Sequence, residues 1–102
     1  MTQPLLEILW DDMKAQRNLT KHSVTFTQAS TVMLDPLALT VFDAAHSEIE
    51  ERWFTLGMTS DRRLLAVSHT CHIIDASSTQ IRLISARDAT RREQQYYENV
   101  LR

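Results

Sequence analysis

Apolar residues fall in short runs along the chain, and the spacing inside each run predicts its structure. LLEILW (5–10) is compact and apolar and reads as a first strand. Asp11 or Asp12 then caps a helix over DDMKAQRNLTKH. Its acids come first and Lys21 and His22 come last, the order the helix dipole favours. In SVTFTQASTVML, Phe26 stands before a Thr27 cap, and Ala29, Val32 and Met33 continue its face. That predicts a second short helix, ended by Asp35-Pro36.

The second half alternates. LALTVFD (37–43) and RWFTLGM (52–58) read as strands, separated by the polar loop AAHSEIEE. RLLAVSHTCHII (63–74) predicts one long strand and QIRLISA (80–86) the next, with TSDR and DASST as turns. TRREQQYYENVL predicts a closing helix, with Tyr96–Tyr97 and Val100–Leu101 spaced to pack it on the sheet or on a partner. The order β-α-α-β-β-β-β-α predicts an α+β fold, with N-terminal helices packed on a twisted antiparallel sheet and a C-terminal helix. One sheet face is expected to be covered and the other left open.

With 102 residues, of which 43% are apolar, the chain is expected to form one domain over 1–102. A single glycine excludes a glycine-rich phosphate loop. A single cysteine, Cys71, excludes an internal disulfide, and HTCH (69–72) lacks the further ligand a zinc site needs, so neither metal nor other cofactor is expected. No run approaches the roughly 18 apolar residues of a membrane span, and no basic leader is seen, so a cytoplasmic location is expected.

Net charge is −2, but its distribution is uneven. Residues 43–52 carry −3, whereas 82–92 carry +3 through Arg82, Arg87, Arg91 and Arg92 against Asp88. Such a local patch can bind phosphate on a slightly acidic chain. Strict alternation puts Arg82, Ile84 and Ala86 on one face and Ile81, Leu83 and Ser85 on the other. A turn centred near 76–77 sets Arg82 across from about residue 71. It also groups Arg63 with Arg87 and Arg91, and Arg82 with His69 or Cys71, along one groove. His69 shares its parity with Leu65 and Val67, so a core position competes with a catalytic one. His46 lies among acids, and Glu50 and Glu51 are candidates to orient an arginine or act as base.

RNA cleavage through the 2′-hydroxyl needs a proton acceptor, a proton donor and positive charge at phosphorus. Lys21, His22, Arg63, His69 and Arg82 supply those groups and are the candidate catalytic residues. Spacing alone does not separate an enzyme from a binding module or from a small structural dimer joined through Tyr96–Tyr97.

Several stretches together resemble one family. KH (21–22), DP (35–36), HSEIEERW (46–53), HT (69–70) and ISAR followed by ATRRE (84–93) stand in the order and spacing of the BrnT-type toxins of bacterial type II toxin–antitoxin systems. The resemblance runs from Trp10 to Glu98. It implies a small ribonuclease with a RelE-like fold, and with the acid–base and cationic groups above the expectation is an endoribonuclease that works without metal. It also implies neutralisation by a BrnA-type antitoxin in a 2:2 complex, which touches promoter DNA only through the antitoxin. The RNA contacts it implies fall on Lys21, His22, Arg63 and Arg82. A non-catalytic antitoxin-binding module, or a degenerate toxin acting only in a repressor complex, is the alternative. Two positions depart from the pattern: Arg62 stands where a turn glycine is common, and Asp88 where lysine is common.

Overall fold

The computed structural model describes residues 5–100, so the Leu101 contact expected above lies outside the described residues. Strand β1 is Leu5–Leu9 and helix α1 is Asp12–His22. Asp11 caps α1, its carboxylate accepting the Lys14 N–H at 3.0 Å. The helix ends at Ser23, whose φ of 57° is a left-handed cap. Helix α2 is Phe26–Ser30 and runs into a 3-10 turn over Thr31–Leu34. Its cap is Thr25 rather than the expected Thr27, because Thr25 and Gln28 satisfy each other's backbone N–H groups in a capping box.

Strands β2 (Leu39–Phe42), β3 (Trp53–Met58) and β4 (Leu64–His69) form an antiparallel ladder. The single strand expected over 63–74 is two, since β4 stops at His69 and β5 runs His72–Asp75. The break falls where β3 gives out, at the Trp53–His69 pair. Beyond it β5 pairs with β6 (Ser78–Asp88), and Ile73 and Ile74 are exposed despite their apolar character. Helix α3 is Arg91–Asn99, opened by a Thr90–Glu93 capping box.

The sheet order is β1-β6-β4-β3-β2, with β5 also beside β6. It is mixed rather than wholly antiparallel: β1 lies parallel to β6, from Leu5 opposite Ser78 to Leu9 opposite Arg82. A short apolar run such as LLEIL carries no information on a neighbour's direction, and Leu5, Leu6 and Leu9 stay exposed in it.

Helices pack on both faces, not on one. Phe26, Val32, Leu65, Val67, Leu83 and Ala86 belong to the core beneath α1 and α2. On the opposite face Tyr97 of α3 packs with Leu56 and Ala66. Burial of each large side chain in these clusters contributes about 1.5–3 kcal/mol. Asp35 ties the layers together, its carboxylate accepting the Met58 N–H (2.8 Å), the Leu37 N–H (2.9 Å) and the Tyr97 hydroxyl (2.6 Å). Among the described residues no helix is long and apolar enough to cross a membrane.

Two backbone positions fix the β3–β4 end. A Cβ on Gly57 would lie 2.7 Å from Val32 Cγ1 and 3.2 Å from Ala38 Cβ, so only glycine lets the 3-10 turn seat on β3. The hairpin closes through Arg62 N–H to Thr59 carbonyl (3.0 Å) and Thr59 N–H to Arg63 carbonyl (2.8 Å), with Arg62 at φ 66°. Arg62 therefore keeps the left-handed turn that a glycine would adopt without steric cost. Gly57→Ala is expected to destabilise the fold by about 1–3 kcal/mol through overpacking. Arg62→Gly is expected to stabilise it by about 1 kcal/mol by relieving the left-handed residue. Urea midpoints of the two variants against the parent chain measure both.

Candidate nucleic-acid interface

Strand β6 places most of the chemistry, and its outer edge is only half covered. β1 accompanies it as far as Arg82. Further along, the buried Asn18 side chain of α1 takes the strand's place. Its amide donates to the Ala86 carbonyl (2.9 Å) and its oxygen accepts the Ala86 N–H (2.9 Å), while a second N–H reaches the Val24 carbonyl (3.0 Å). On the inner edge the ladder to β4 slips: Ser68 faces Ser85 but His69 faces Leu83, which leaves Ile84 unpaired in a bulge. The bulge resets the alternation. Ala86 lies with Leu83 and Ile81 in the core under α1 and α2 instead of beside Arg82.

This register separates the arginines. Arg63 shares the parity of Leu65 and Val67, on the side of α1 and α2. Its guanidinium forks onto Asp88 (2.6 and 2.9 Å) and donates to the Ser23 carbonyl at the end of α1 (3.0 Å). Arg82 projects from the opposite face and pairs with Glu50 at 2.6 Å. Arg87 shares that second face, forks onto Glu93 (2.8 and 3.1 Å) and lies over the Phe54 ring at 5.7 Å. The expected convergence of Arg63 with Arg87, and of Arg82 with His69, does not occur. The cause is the sheet, which lies between Arg63 and Arg87 and between His69 and Arg82, with a carboxylate on each arginine. Asp88, one of the two departures from the family pattern, is the group that engages Arg63. Glu50 does orient an arginine, as one of its two expected roles required.

Of the two positions open to His69, it takes the core one. It is 2% exposed, and its Nδ1–H donates to the Thr70 carbonyl (3.0 Å). A carbonyl can only accept, so Nε2 is left to accept the Thr55 hydroxyl at 2.7 Å, and Thr40 joins Thr55 at 2.8 Å. This ring is a neutral link in a buried chain rather than an acid or base at the surface. Burial pushes its pKa down, against the Thr70 hydrogen bond.

What the second face does offer is a groove of about 250 Å³ over Phe54, Ala66, Ser68 and Ser85, walled by Asp43, His46, Arg52 and Arg87. Arg52 has no ion-pair partner among the described residues, and its Nε is buried without a hydrogen bond. Across Ile84 and Ser85 the groove meets a second concavity of about 340 Å³ lined by Lys14, Arg17, Lys21 and His22. A cationic track thus runs from the end of α1 over β6 to the loop before β3. Sequence reasoning found its Lys21–His22 flank and missed Arg52 and the role of Arg87. The available signal was strand parity, since Arg52 alternates with Phe54 and Leu56. Among the described residues no group of three or more His, Cys, Asp or Glu comes together as a metal would require. The HTCH segment disperses, with His69 buried while Cys71 and His72 are exposed.

A family model described as ribonuclease toxin, BrnT, of type II toxin-antitoxin system matches residues 10–93. This chain belongs to the BrnT family. The match spans Trp10 to Glu93 and so includes every residue of the track. Membership in BrnT places the chain among the ribonuclease toxins of type II toxin–antitoxin systems, which implies an antitoxin partner. The crystal structure of the Brucella abortus ribonuclease toxin BrnT is similar, with a TM-score of 0.60 and 23% identity, over 84% of this chain and 99% of that one. That likeness shows a shared fold. No curated protein sequence matches this chain significantly.

The buried His69 ring gives a pH signature. Its folded pKa is lowered, so the unfolded chain binds that proton more readily. Stability is therefore full above the unfolded value of about 6.5 and is lost as pH falls below it. Urea unfolding at pH 7.5 and at pH 5.5 is expected to show lower stability at the lower pH, with a smaller difference in His69→Gln.

Proposed function

We propose that this BrnT toxin cuts RNA within the strand, without metal, on the track between α1 and the loop before β3. The observation that carries the reading is the Arg52 guanidinium, free of any carboxylate among the described residues, in a groove continuous with Lys21 and His22. Arg52 holds a phosphodiester, since a guanidinium fork matches phosphate oxygens, while Arg87, engaged by Glu93, walls the groove beside it. Lys21 neutralises the neighbouring backbone, and His22 supplies the proton taken up by the departing 5′ oxygen. Charge stabilisation at phosphorus is the largest contribution expected of such a site.

Arg63 and Arg82 serve this site as positioning residues. Arg63 ties Asp88 to the end of α1, which carries Lys21 and His22, and Arg82 ties β6 to the loop through Glu50. Kinship with RelE-type toxins and a BrnA-type antitoxin in a 2:2 complex, reaching promoter DNA only through the antitoxin, belong to the same proposal. An apolar trough of about 300 Å³ between β2, β3 and α3, lined by Leu39, Val41, Phe54, Leu56 and Tyr96, supports a protein partner on this face.

Purified chain freed of partner is expected to cleave single-stranded RNA in excess EDTA. Arg52→Ala is expected to slow cleavage at least about 100-fold, the scale for loss of one charge-stabilising donor. Lys21→Ala is expected to weaken RNA binding and flatten its salt dependence by about one unit of slope. RNA left intact both in EDTA and with magnesium overturns the reading; cleavage only with added magnesium overturns its metal-free part.

A further inference from the structure

We propose that His46, held by Asp43, is the base that takes the 2′-hydroxyl proton. The inference rests on the ribonuclease reading above and adds a residue to it. His46 lies in the loop between β2 and β3, and that loop is pinned at its base. Asp43 N–H donates to the Arg52 carbonyl (2.9 Å), and Arg52 N–H donates to Ser47 Oγ (3.0 Å). Ser47 Oγ–H donates to the Asp43 carbonyl (2.6 Å), with the Arg52 carbonyl a longer acceptor at 3.4 Å. Asp43 and Arg52 therefore sit side by side, just past the Phe42–Trp53 pair.

From this base the Asp43 carboxylate reaches His46, Oδ2 to Nδ1 at 2.8 Å. An ionised carboxylate only accepts, so the ring proton sits on Nδ1 and the Nε2 lone pair is free. The two side chains differ in exposure, 22% for Asp43 and 67% for His46, as suits a fixed orienting group beneath a working ring. His46 and Arg52 also line a further concavity, of about 600 Å³, inside the loop, together with the carboxylates of Glu48 and of Glu50, which Arg82 engages. They stand at the junction of that concavity with the sheet groove. A phosphodiester drawn in by Arg52 meets the wall that His46 forms.

The step balances as follows. Nε2 accepts the 2′-hydroxyl proton while the 2′ oxygen attacks phosphorus. The bond from phosphorus to the 5′ oxygen breaks, and that oxygen takes a proton from His22. The products are a 2′,3′-cyclic phosphate and a 5′-hydroxyl. The imidazolium formed at His46 is stabilised by Asp43 and returns its proton to water.

The parent chain, His46→Asn, His46→Ala and Asp43→Asn are compared on a short single-stranded RNA in EDTA across pH, with RNA affinity measured separately. His46→Asn is expected to cut about 100-fold more slowly or worse, the range for loss of a general base. It is expected to keep its RNA affinity within about twofold and to lose the acidic limb of the pH–rate profile, which is set by the base. Asp43→Asn is expected to slow cleavage with unchanged affinity, and added imidazole to restore part of the rate to His46→Ala. A mere loop contact predicts none of these. Wild-type rate and profile in His46→Asn overturn the assignment and leave the ribonuclease reading standing. A parent chain that leaves RNA intact overturns both.

Discussion

The bulge at Ile84 is the constraint on which the rest of the surface depends. One unpaired residue in β6 moves every later side chain to the other face. It places Ala86 in the core and Ser85 and Arg87 on the groove. Without it Arg87 would point under α1 and α2, a buried charge far from Glu93. The same stretch of β6 has no strand on its outer edge, and Asn18 satisfies the Ala86 peptide group from within α1. An asparagine inside a helix is a poor helix former, and here its amide is spent on a neighbour's backbone instead. That exchange also sets the end of α1, with Lys21 and His22, beside Ser85.

Charge on this protein is governed by partners more than by number. Three arginines singled out by their place in the chain carry carboxylates: Asp88 on Arg63, Glu50 on Arg82 and Glu93 on Arg87. The Arg63 fork holds the Asp88 carboxyl below the usual carboxylate range, and Arg87 does the same for Glu93. Both pairs favour the folded state above the unfolded carboxylate values of about 4 and lose that contribution as pH falls further. These pairs are partly exposed, so each contributes no more than about 1 kcal/mol. Their larger consequence is geometric, because each forked arginine stops being a mobile cation and becomes a strut. Arg52, which has no such partner among the described residues, keeps its charge available.

Much of the fold was legible in the sequence because caps and alternation are local signals. Asp11, one of the two caps offered for α1, the apolar strand at 53–58 and the closing helix α3 follow from neighbours within a few residues. The errors involve partners far along the chain. The direction of β1 depends on a strand more than seventy residues away, and the split of 63–74 depends on where β3 ends. The side taken by α3 depends on which face of β3 accepts Tyr97. The site divides in the same way. Lys21 and His22 could be read from the end of a helix. The separation of Arg63 from Arg87 could not, since it follows from strand parity together with an unsignalled bulge. His46 was visible as a histidine among acids, but its juxtaposition with Arg52 needs the pinned loop.

Two flanks of the track are held by struts anchored on β6 from opposite sides of the sheet. Arg63, on the side of α1 and α2, links Asp88 at the end of β6 to the Ser23 carbonyl and so fixes the last turn of α1. Arg82, on the groove side, links β6 to Glu50 and so fixes the loop that carries His46. A phosphodiester site tolerates little displacement, since misplacing a reacting group by about 1 Å can cost about 100-fold in rate. On the proposed reading, an arginine that never touches RNA therefore controls cleavage through the flank it holds. On that reading proximity to the chemistry and importance to it come apart: Arg63 and Arg82, prominent in the sequence, set the geometry that Arg52 and His46 use beside Lys21 and His22.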